Sequence, residues 1–238
     1  MSRKFQLLIV LGLIMAGISC NRTHKKSEAK PQKDQHEINM ENDRRLEGDH
    51  VLSPEELPVL TPEQKQHYID ESKKIAKGAF DIFSSHLTRL FKENHPAEAL
   101  EYCHANALRI TDSLSEAYGV KIKRTSYRLR NPKNKPNAQE EKVMEIYRQQ
   151  ILSNLTPKPY MHYDEEGYPH VYLPIIVQEK CLMCHGDPNK DIPEPIMNKL
   201  TELYPSDKAI FFNKGDLRGI WSIRFPRNVK NVKESNQK

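Results

Sequence analysis

A C-x-x-C-H sequence at residues 181–185 constrains this chain more than any other feature. In this spacing two cysteine thiols can form thioether bonds with the two vinyl groups of haem, and the adjacent histidine reaches the iron from the same side. The motif therefore predicts one covalently bound haem c, attached through Cys181 and Cys184 and ligated at its iron by His185.

Three other interpretations of the two cysteines are weaker. A thioredoxin-like C-x-x-C begins a helix in a βαβ unit, whereas this pair follows a proline-containing stretch that is predicted to be a strand. A zinc site requires a second pair of ligands at comparable spacing, and the sequence contains none. A structural disulfide between Cys181 and Cys184 is the remaining alternative.

Cys103 is the thiol that these assignments leave over, because Cys20 has a separate role described below. It lies on the apolar stripe of a predicted helix, where a cysteine commonly packs as a small hydrophobic residue. It is also a candidate for the second axial ligand of the iron, as a thiolate opposite His185. The other candidates for that position are Met161, His162, His170, Met197 and His104.

The N-terminus has the features of a secretory signal. Two basic residues precede an apolar run over 5–18, which is too short to span a membrane as a mature helix. The run ends at Gly17-Ile18-Ser19-Cys20, which resembles the bacterial lipoprotein cleavage box except that Gly17 replaces the usual aliphatic residue. We expect lipidation of Cys20, so that acyl chains anchor the mature protein to a bacterial membrane on its extracytoplasmic, periplasmic side.

Composition divides the remainder into three parts. Residues 21–60 are polar, mixed in charge and poor in aromatics, which predicts a flexible tether. Residues 61–226 form the predicted domain, and residues 227–238 form a predicted disordered basic tail. The chain has a net charge of +5, and its basic residues are interspersed with acidic ones. It lacks the concentrated basic face of a nucleic-acid-binding protein, so nucleic acid is not an expected partner.

Within the domain, helices come first and strands afterwards. The predicted helices cover 61–93, 96–118 and 137–151, and the predicted strands cover 120–129, 160–163, 170–177 and 220–225. Thr61 with Gln64 forms a capping box for the first helix, and Gly119 ends the second. This order predicts an α+β fold, with a mostly antiparallel sheet and long flanking N-terminal helices.

Several short motifs together resemble those of one family. They are Arg124-Thr125-Ser126, Arg130-Asn131-Pro132, the C-x-x-C-H-G sequence, and the runs over 204–209 and 215–219. The combination resembles the single-haem c-type proteins with a PAS-like fold, known from a cyanobacterial cytochrome and from sensor domains of bacterial histidine kinases. The resemblance covers about residues 75–226.

That resemblance implies a PAS-like antiparallel sheet, haem c bound at Cys181 and Cys184, and axial ligation by His185 and by a cysteine on an upstream helix, which is matched by Cys103. The chain departs from the family at Phe211-Phe212, where Gly-Tyr is usual. We therefore expect the local packing beside the haem to differ there.

Three arginines are candidates for contacts to the haem propionates. Arg124, Arg128 and Arg130 are all even-numbered, so a continuous strand would place them on one face. Planar guanidinium groups bind carboxylates bidentately, which suits the two propionates of haem. A solvated cationic face is the alternative.

These features predict an electron-transfer protein or redox sensor rather than an enzyme, because the iron carries the redox change and no substrate chemistry is required. It would act with an unidentified redox partner protein, and domains of this fold often form homodimers. The alternative is a haem-based sensor of NO or CO that acts through a partner. A haem peroxidase is the least favoured function, because it requires an open iron position.

Overall fold

A computed structural model describes Leu57 and residues 59–227. The predictions of a signal sequence, of lipidation at Cys20, of most of the tether and of nearly all of the basic tail fall outside these residues. Among the residues described, no helix is both long enough and apolar enough to cross a membrane.

The described chain contains five α-helices and four strands, in an order that starts with two long helices. The helices are α1 (Pro62–Lys92), α2 (Pro96–Tyr118), α3 (Ala138–Leu152), α4 (Leu182–His185) and α5 (Glu194–Leu203), and short 3-10 turns cover Pro132–Asn134 and Glu179–Cys181. The strands are β1 (Lys121–Thr125), β2 (Tyr160–Tyr163), β3 (Pro169–Ile176) and β4 (Leu217–Arg224). They form one antiparallel sheet in the order β1-β4-β3-β2, so the α+β prediction is confirmed.

The helix boundaries follow from capping residues that the sequence already indicated. Thr61 and Gln64 form a reciprocal capping box at the start of α1, and Asn137 and Glu140 form another at the start of α3. Gly119 ends α2 in the left-handed conformation, with φ of 62°. The predicted extents of these three helices are confirmed to within about two residues.

The two faces of the sheet bury different clusters, because successive strand residues point to opposite sides. One face packs Val171, Leu173 and Trp221 against α1, and the other packs Tyr172 and Ile220 against α3. The buried Tyr147 hydroxyl of α3 donates to the Tyr172 carbonyl at 2.8 Å, which ties that helix to the middle of the sheet. Helix α2 packs beside α1, β1 and α5.

The predicted first strand is too long. It ends at Thr125 rather than at Leu129, because the Ser126 hydroxyl accepts the Arg128 backbone N–H at 3.1 Å and turns the chain. Arg128 and Arg130 therefore lie in the loop after β1, and the expectation that three arginines share one strand face is wrong. Helix α5 was not predicted, and β4 begins three residues earlier than expected.

Candidate functional site: the C-x-x-C-H segment and the arginine cluster

The C-x-x-C-H segment lies directly after β3. A 3-10 turn over Glu179–Cys181 leads into the single helical turn of α4. Val177 donates its N–H to the Asp216 carbonyl at 2.9 Å and accepts the Gly215 N–H at 2.9 Å, so the start of the segment is joined to the chain before β4. The segment is therefore held at the end of the β3–β4 pair.

Both cysteines of the motif are free, half-buried thiols. Cys181 packs against a small cluster formed by Val177, Ala209 and Phe212, while Cys184 packs against the cluster formed by α5 and Leu100. Burial raises the pKa of the Cys184 thiol to about 11, so this thiol is neutral at pH 7. The two side chains thus lie in apolar surroundings of the kind that suits a large hydrophobic ligand.

His185 is held in one tautomer by a backbone carbonyl. Its Nδ1 lies 2.7 Å from the oxygen of Ala209. Because a carbonyl oxygen can only accept, Nδ1 carries the proton and Nε2 keeps its lone pair. Burial, and then the positive charges of Arg218 and Arg130, hold the pKa of His185 well below its usual value, so the ring is neutral. A neutral imidazole with Nδ1 hydrogen-bonded to a carbonyl is the usual state of a metal-ligating histidine.

The backbone around His185 is fixed by an adjacent stretch of chain that runs in the opposite direction. Phe212 donates its N–H to the His185 carbonyl at 2.9 Å, and Phe211 donates to the Gly186 carbonyl at 2.7 Å. Phe211 adopts a positive φ of 60°, which costs a bulky side chain about 1–3 kcal/mol, and its side chain is 54% exposed. Glycine, which the resemblance described above implies at this position, carries no such cost, so the departure in sequence coincides with a strained backbone.

Arg130 crosslinks the motif to the loop before Phe211. Its Nη2 donates to the Cys184 carbonyl at 2.6 Å and to the Ala209 carbonyl at 3.3 Å, and its Nε donates to Asp207 at 3.0 Å. Only 12% of the Arg130 side chain and 8% of that of Asp207 are exposed, so this ion pair is largely buried. In the described structure Arg130 positions Cys184 and Ala209, and a contact to a propionate stays a prediction.

Arg124 and Cys103 lie close enough to influence one another's charge. The Arg124 guanidinium carbon lies 4.4 Å from the centre of the Phe83 ring and 5.3 Å from that of Trp221. Burial lowers the pKa of Arg124, whereas a Cys103 thiolate would raise it. Burial raises the pKa of the half-buried Cys103 thiol, and Arg124 and Arg130 oppose that rise. Both arginines therefore favour the thiolate form of Cys103.

Two more arginines complete what we call the arginine cluster, defined as Arg124, Arg128, Arg130 and Arg218. Arg128 donates to the Lys208 carbonyl at 3.2 Å and covers the Phe212 ring at 4.1 Å. Arg218 was not among the sequence-predicted site residues. The Gly219 that follows it was a usable signal, because glycine inside a strand often marks a bulge or a close approach of backbone.

The other candidates for the sixth iron position lie in several parts of the structure. Histidines 162 and 170 both lie 3.2 Å from the Tyr172 hydroxyl in a network on β2 and β3. Met161, on β2, packs against the cluster between the sheet and α1. His104 packs edge-on against Tyr204 with ring centres 5.0 Å apart, and Met197 packs with Cys184 in the α5 cluster. For the Cys103 thiol, Arg124 and Arg130 oppose the rise in pKa that burial causes.

Within residues 59–227, no three His, Cys, Asp or Glu side chains are grouped to hold a metal ion by themselves. The residues do fit haem, because the donors consist of two thiols and one imidazole beside cations. Among the described residues, no carboxylate lies within ion-pair distance of Arg124, Arg128 or Arg218, and the buried Nε of Arg218 has no hydrogen-bond partner.

Comparison with known proteins gives one family and one similar structure. The family model described as Tll0287-like matches residues 49–226. A crystal structure of the cyanobacterial haem-protein Tll0287 is similar at 21% sequence identity and a TM-score of 0.48, over 70% of this chain and 97% of that chain. No curated protein matches the chain.

The close packing of Gly186 yields a prediction about the segment. A Cβ at this position would lie 2.6 Å from the Asp191 Cβ and 2.8 Å from the Leu182 carbonyl oxygen. Gly186→Ala should therefore lower the free energy of unfolding by about 1–3 kcal/mol, measured by urea denaturation of the haem-free full chain. Gly78→Ala is the control: its added Cβ meets nothing within 4 Å in α1, so stability should be equal or higher by up to about 1 kcal/mol. Equal stabilities of wild type and Gly186→Ala would contradict the packing described.

Proposed function

The chain belongs to the Tll0287-like family, and from this premise we propose that it binds one haem covalently through Cys181 and Cys184, with His185 as an iron ligand. The observation that carries the proposal is the hydrogen bond from His185 Nδ1 to Ala209 O, which leaves Nε2 free to ligate beside two free thiols. The description of the matched family refers to Tll0287, and a solved protein of that name is described as a cyanobacterial haem-protein, which supports haem binding. Bound there, haem would supply a one-electron couple between ferric and ferrous iron.

Cys103 is the proposed second axial ligand. Its support is electrostatic, because Arg124 and Arg130 both lower the pKa that burial raises. An anionic thiolate at the iron favours the ferric state and occupies the position that a substrate would need. The function that follows is single-electron transfer or redox sensing, in which the protein passes an electron to a partner and performs no chemistry on a substrate.

A second function is favoured by one observation. Burial is the largest influence on the Cys103 thiol and stabilises its neutral form, which is a weaker ligand than the thiolate. A sixth ligand that is readily protonated can leave its place to NO or CO. The protein would then be a gas sensor that acts through a partner protein.

The proposed location is the extracytoplasmic face of a bacterial membrane. It rests on the apolar run over 5–18 and on the small residues before Cys20, the proposed site of lipidation. Covalent haem attachment in bacteria takes place outside the cytoplasm, so the proposed location and the proposed cofactor are consistent with each other.

Covalent attachment is tested by a haem-stained denaturing gel of the protein co-expressed with the haem-maturation machinery. Wild-type protein should retain stain, and Cys181→Ala/Cys184→Ala should lose it, because both thioether bonds are absent. His185→Ala should lose stain or show a grossly altered iron spectrum. Cys103→Ala is the matched control and should stain like wild type. Stain that persisted in the double variant would disprove attachment at these cysteines.

Ligation by Cys103 is tested by electron paramagnetic resonance of the ferric protein. Cys103→Ala should change the spectrum and raise the midpoint potential, because the anionic ligand that stabilises ferric iron is lost. His104→Ala alters the neighbouring residue of the same helix and should leave both properties unchanged. An unchanged ferric spectrum in Cys103→Ala, or a changed one in His104→Ala, would assign the sixth position to another residue.

Anchoring is tested by fractionation of bacterial cells. Cys20→Ser should move the protein from the membrane fraction to the soluble extracytoplasmic fraction, because the acyl chains have no thiol to attach to. Mass spectrometry should show acylation at Cys20 in the wild type. Cys103→Ser should stay with the membrane. A membrane-bound, unacylated Cys20→Ser protein would show that another segment makes the attachment.

A further inference from the structure

Arg218 occupies a β-bulge on the central strand β4. Gly219 pairs with Ile175 and Leu217 pairs with Ile176, so Arg218 has no partner on β3 and is the extra residue of the irregularity. Bulges redirect a side chain out of the regular alternation and are frequent beside functional sites. The following Gly219 allows the close approach of β1, because a Cβ there would lie 2.2 Å from the Thr125 carbonyl oxygen.

The bulge directs the Arg218 side chain toward the C-x-x-C-H segment. Its Nη1 donates to the Arg128 carbonyl at 3.2 Å, and its guanidinium carbon lies 5.2 Å from the centre of the Phe212 ring. That ring in turn packs edge-on against His185, with centres 6.3 Å apart. Among the charged groups, Arg218 lowers the pKa of His185 the most. The Arg218 guanidinium and the proposed iron ligand His185 therefore contact the same Phe212 ring.

The charge of Arg218 is not neutralised by the described part of the protein. Its buried Nε has no hydrogen-bond partner, and burial together with Arg130 lowers its pKa to about 9. The nearby carboxylate, Asp207, is paired with Arg130. A buried cation without an anion is costly, so the arginine cluster, in which the described structure pairs only Arg130 with a carboxylate, indicates a site for further negative charge.

We propose that Arg218 binds a propionate carboxylate of the haem, which makes it a cofactor-binding residue of this site. The assignment rests on the proposed function, because it requires haem to be held beside His185. A guanidinium presents two parallel N–H donors that match a carboxylate, and the unsatisfied Nε is one of them. Haem carries two carboxylates, so it supplies negative charge where Arg124, Arg128 and Arg218 have no ion-pair partner within residues 59–227.

The experiment uses the full chain with Cys181→Ala/Cys184→Ala, so that haem binds reversibly. Dissociation constants are measured for ferric haemin and for its dimethyl ester, which has the same ring and iron but no carboxylate charge. Adding Arg218→Gln should weaken haemin binding by about 10- to 100-fold, as expected for a lost charged hydrogen bond, and leave ester binding nearly unchanged. The haemin affinity of Arg218→Lys should lie between that of the parent and that of Arg218→Gln.

Arg148→Gln is the matched control, because Arg148 is an exposed arginine of α3 paired with Glu145. It should bind both ligands as the parent does. Thermal unfolding of the haem-free variants separates folding from binding: Arg218→Gln removes an unpaired buried cation and should unfold no earlier than the parent. If it does not fold, the haemin-to-ester ratio of Arg218→Lys decides the assignment.

Each remaining outcome contradicts a different statement. If the parent binds haemin and Arg218→Gln has the same ratio of haemin to ester dissociation constants as the parent, the role of Arg218 is overturned and the proposed function is not. A parent that binds neither ligand, together with a wild-type chain that retains no haem on the denaturing gel, would overturn the proposed function and this assignment with it. A third outcome is that phosphate or acetate stabilises the haem-free parent only when Arg218 is present, while the parent binds haemin and the ester equally. This outcome would assign the guanidinium to a free anion and overturn the haem contact.

Discussion

The carbonyl oxygen of Ala209 accepts hydrogen bonds from both the His185 imidazole and the Arg130 guanidinium, at 2.7 and 3.3 Å. A carbonyl oxygen has two lone pairs, so both bonds can form together. Because α4 is only four residues long, it cannot fix the histidine ring by itself. The orientation of the ring depends instead on Ala209, which Arg130 holds to Cys184 and Asp207. The site thus relies on a largely buried ion pair that bridges three segments distant in sequence.

Nearby arginines lower the pKa of both proposed iron ligands, His185 and Cys103. Nearby positive charge disfavours the imidazolium form of His185 and favours the thiolate form of Cys103. Neutral imidazole and thiolate are the protonation states that bind metal. For His185 burial adds to this effect, and for Cys103 burial opposes it, so the arginine cluster matters more for the thiol. An electrostatic role in ligation therefore accompanies the proposed role in binding propionates.

The sequence predicted the elements whose signals are local. Thr61, Gly119 and Asn137 mark helix ends through short-range capping, and the C-x-x-C-H spacing identifies the candidate site directly. It did not predict the end of β1, because the turn at Ser126 depends on one side-chain hydrogen bond in a run that otherwise suits a strand. It also missed Arg218, since a bulge is defined by the partner strand and not by the residue itself.

Strand β4 contributes to the surroundings of both proposed iron ligands, Cys103 and His185. It lies between β1 and β3, and its Trp221 packs on the Arg124 guanidinium that influences Cys103. Three residues earlier, its bulge presents Arg218 toward His185. Without the bulge, Arg218 would follow the alternation of a regular strand, in which residues an odd number apart point to opposite faces. Arg124 pairs directly with Trp221 across β1 and β4, and Arg218 lies three residues before Trp221. A short stretch of one central strand thus contacts the arginine that influences Cys103 and carries the arginine that influences His185.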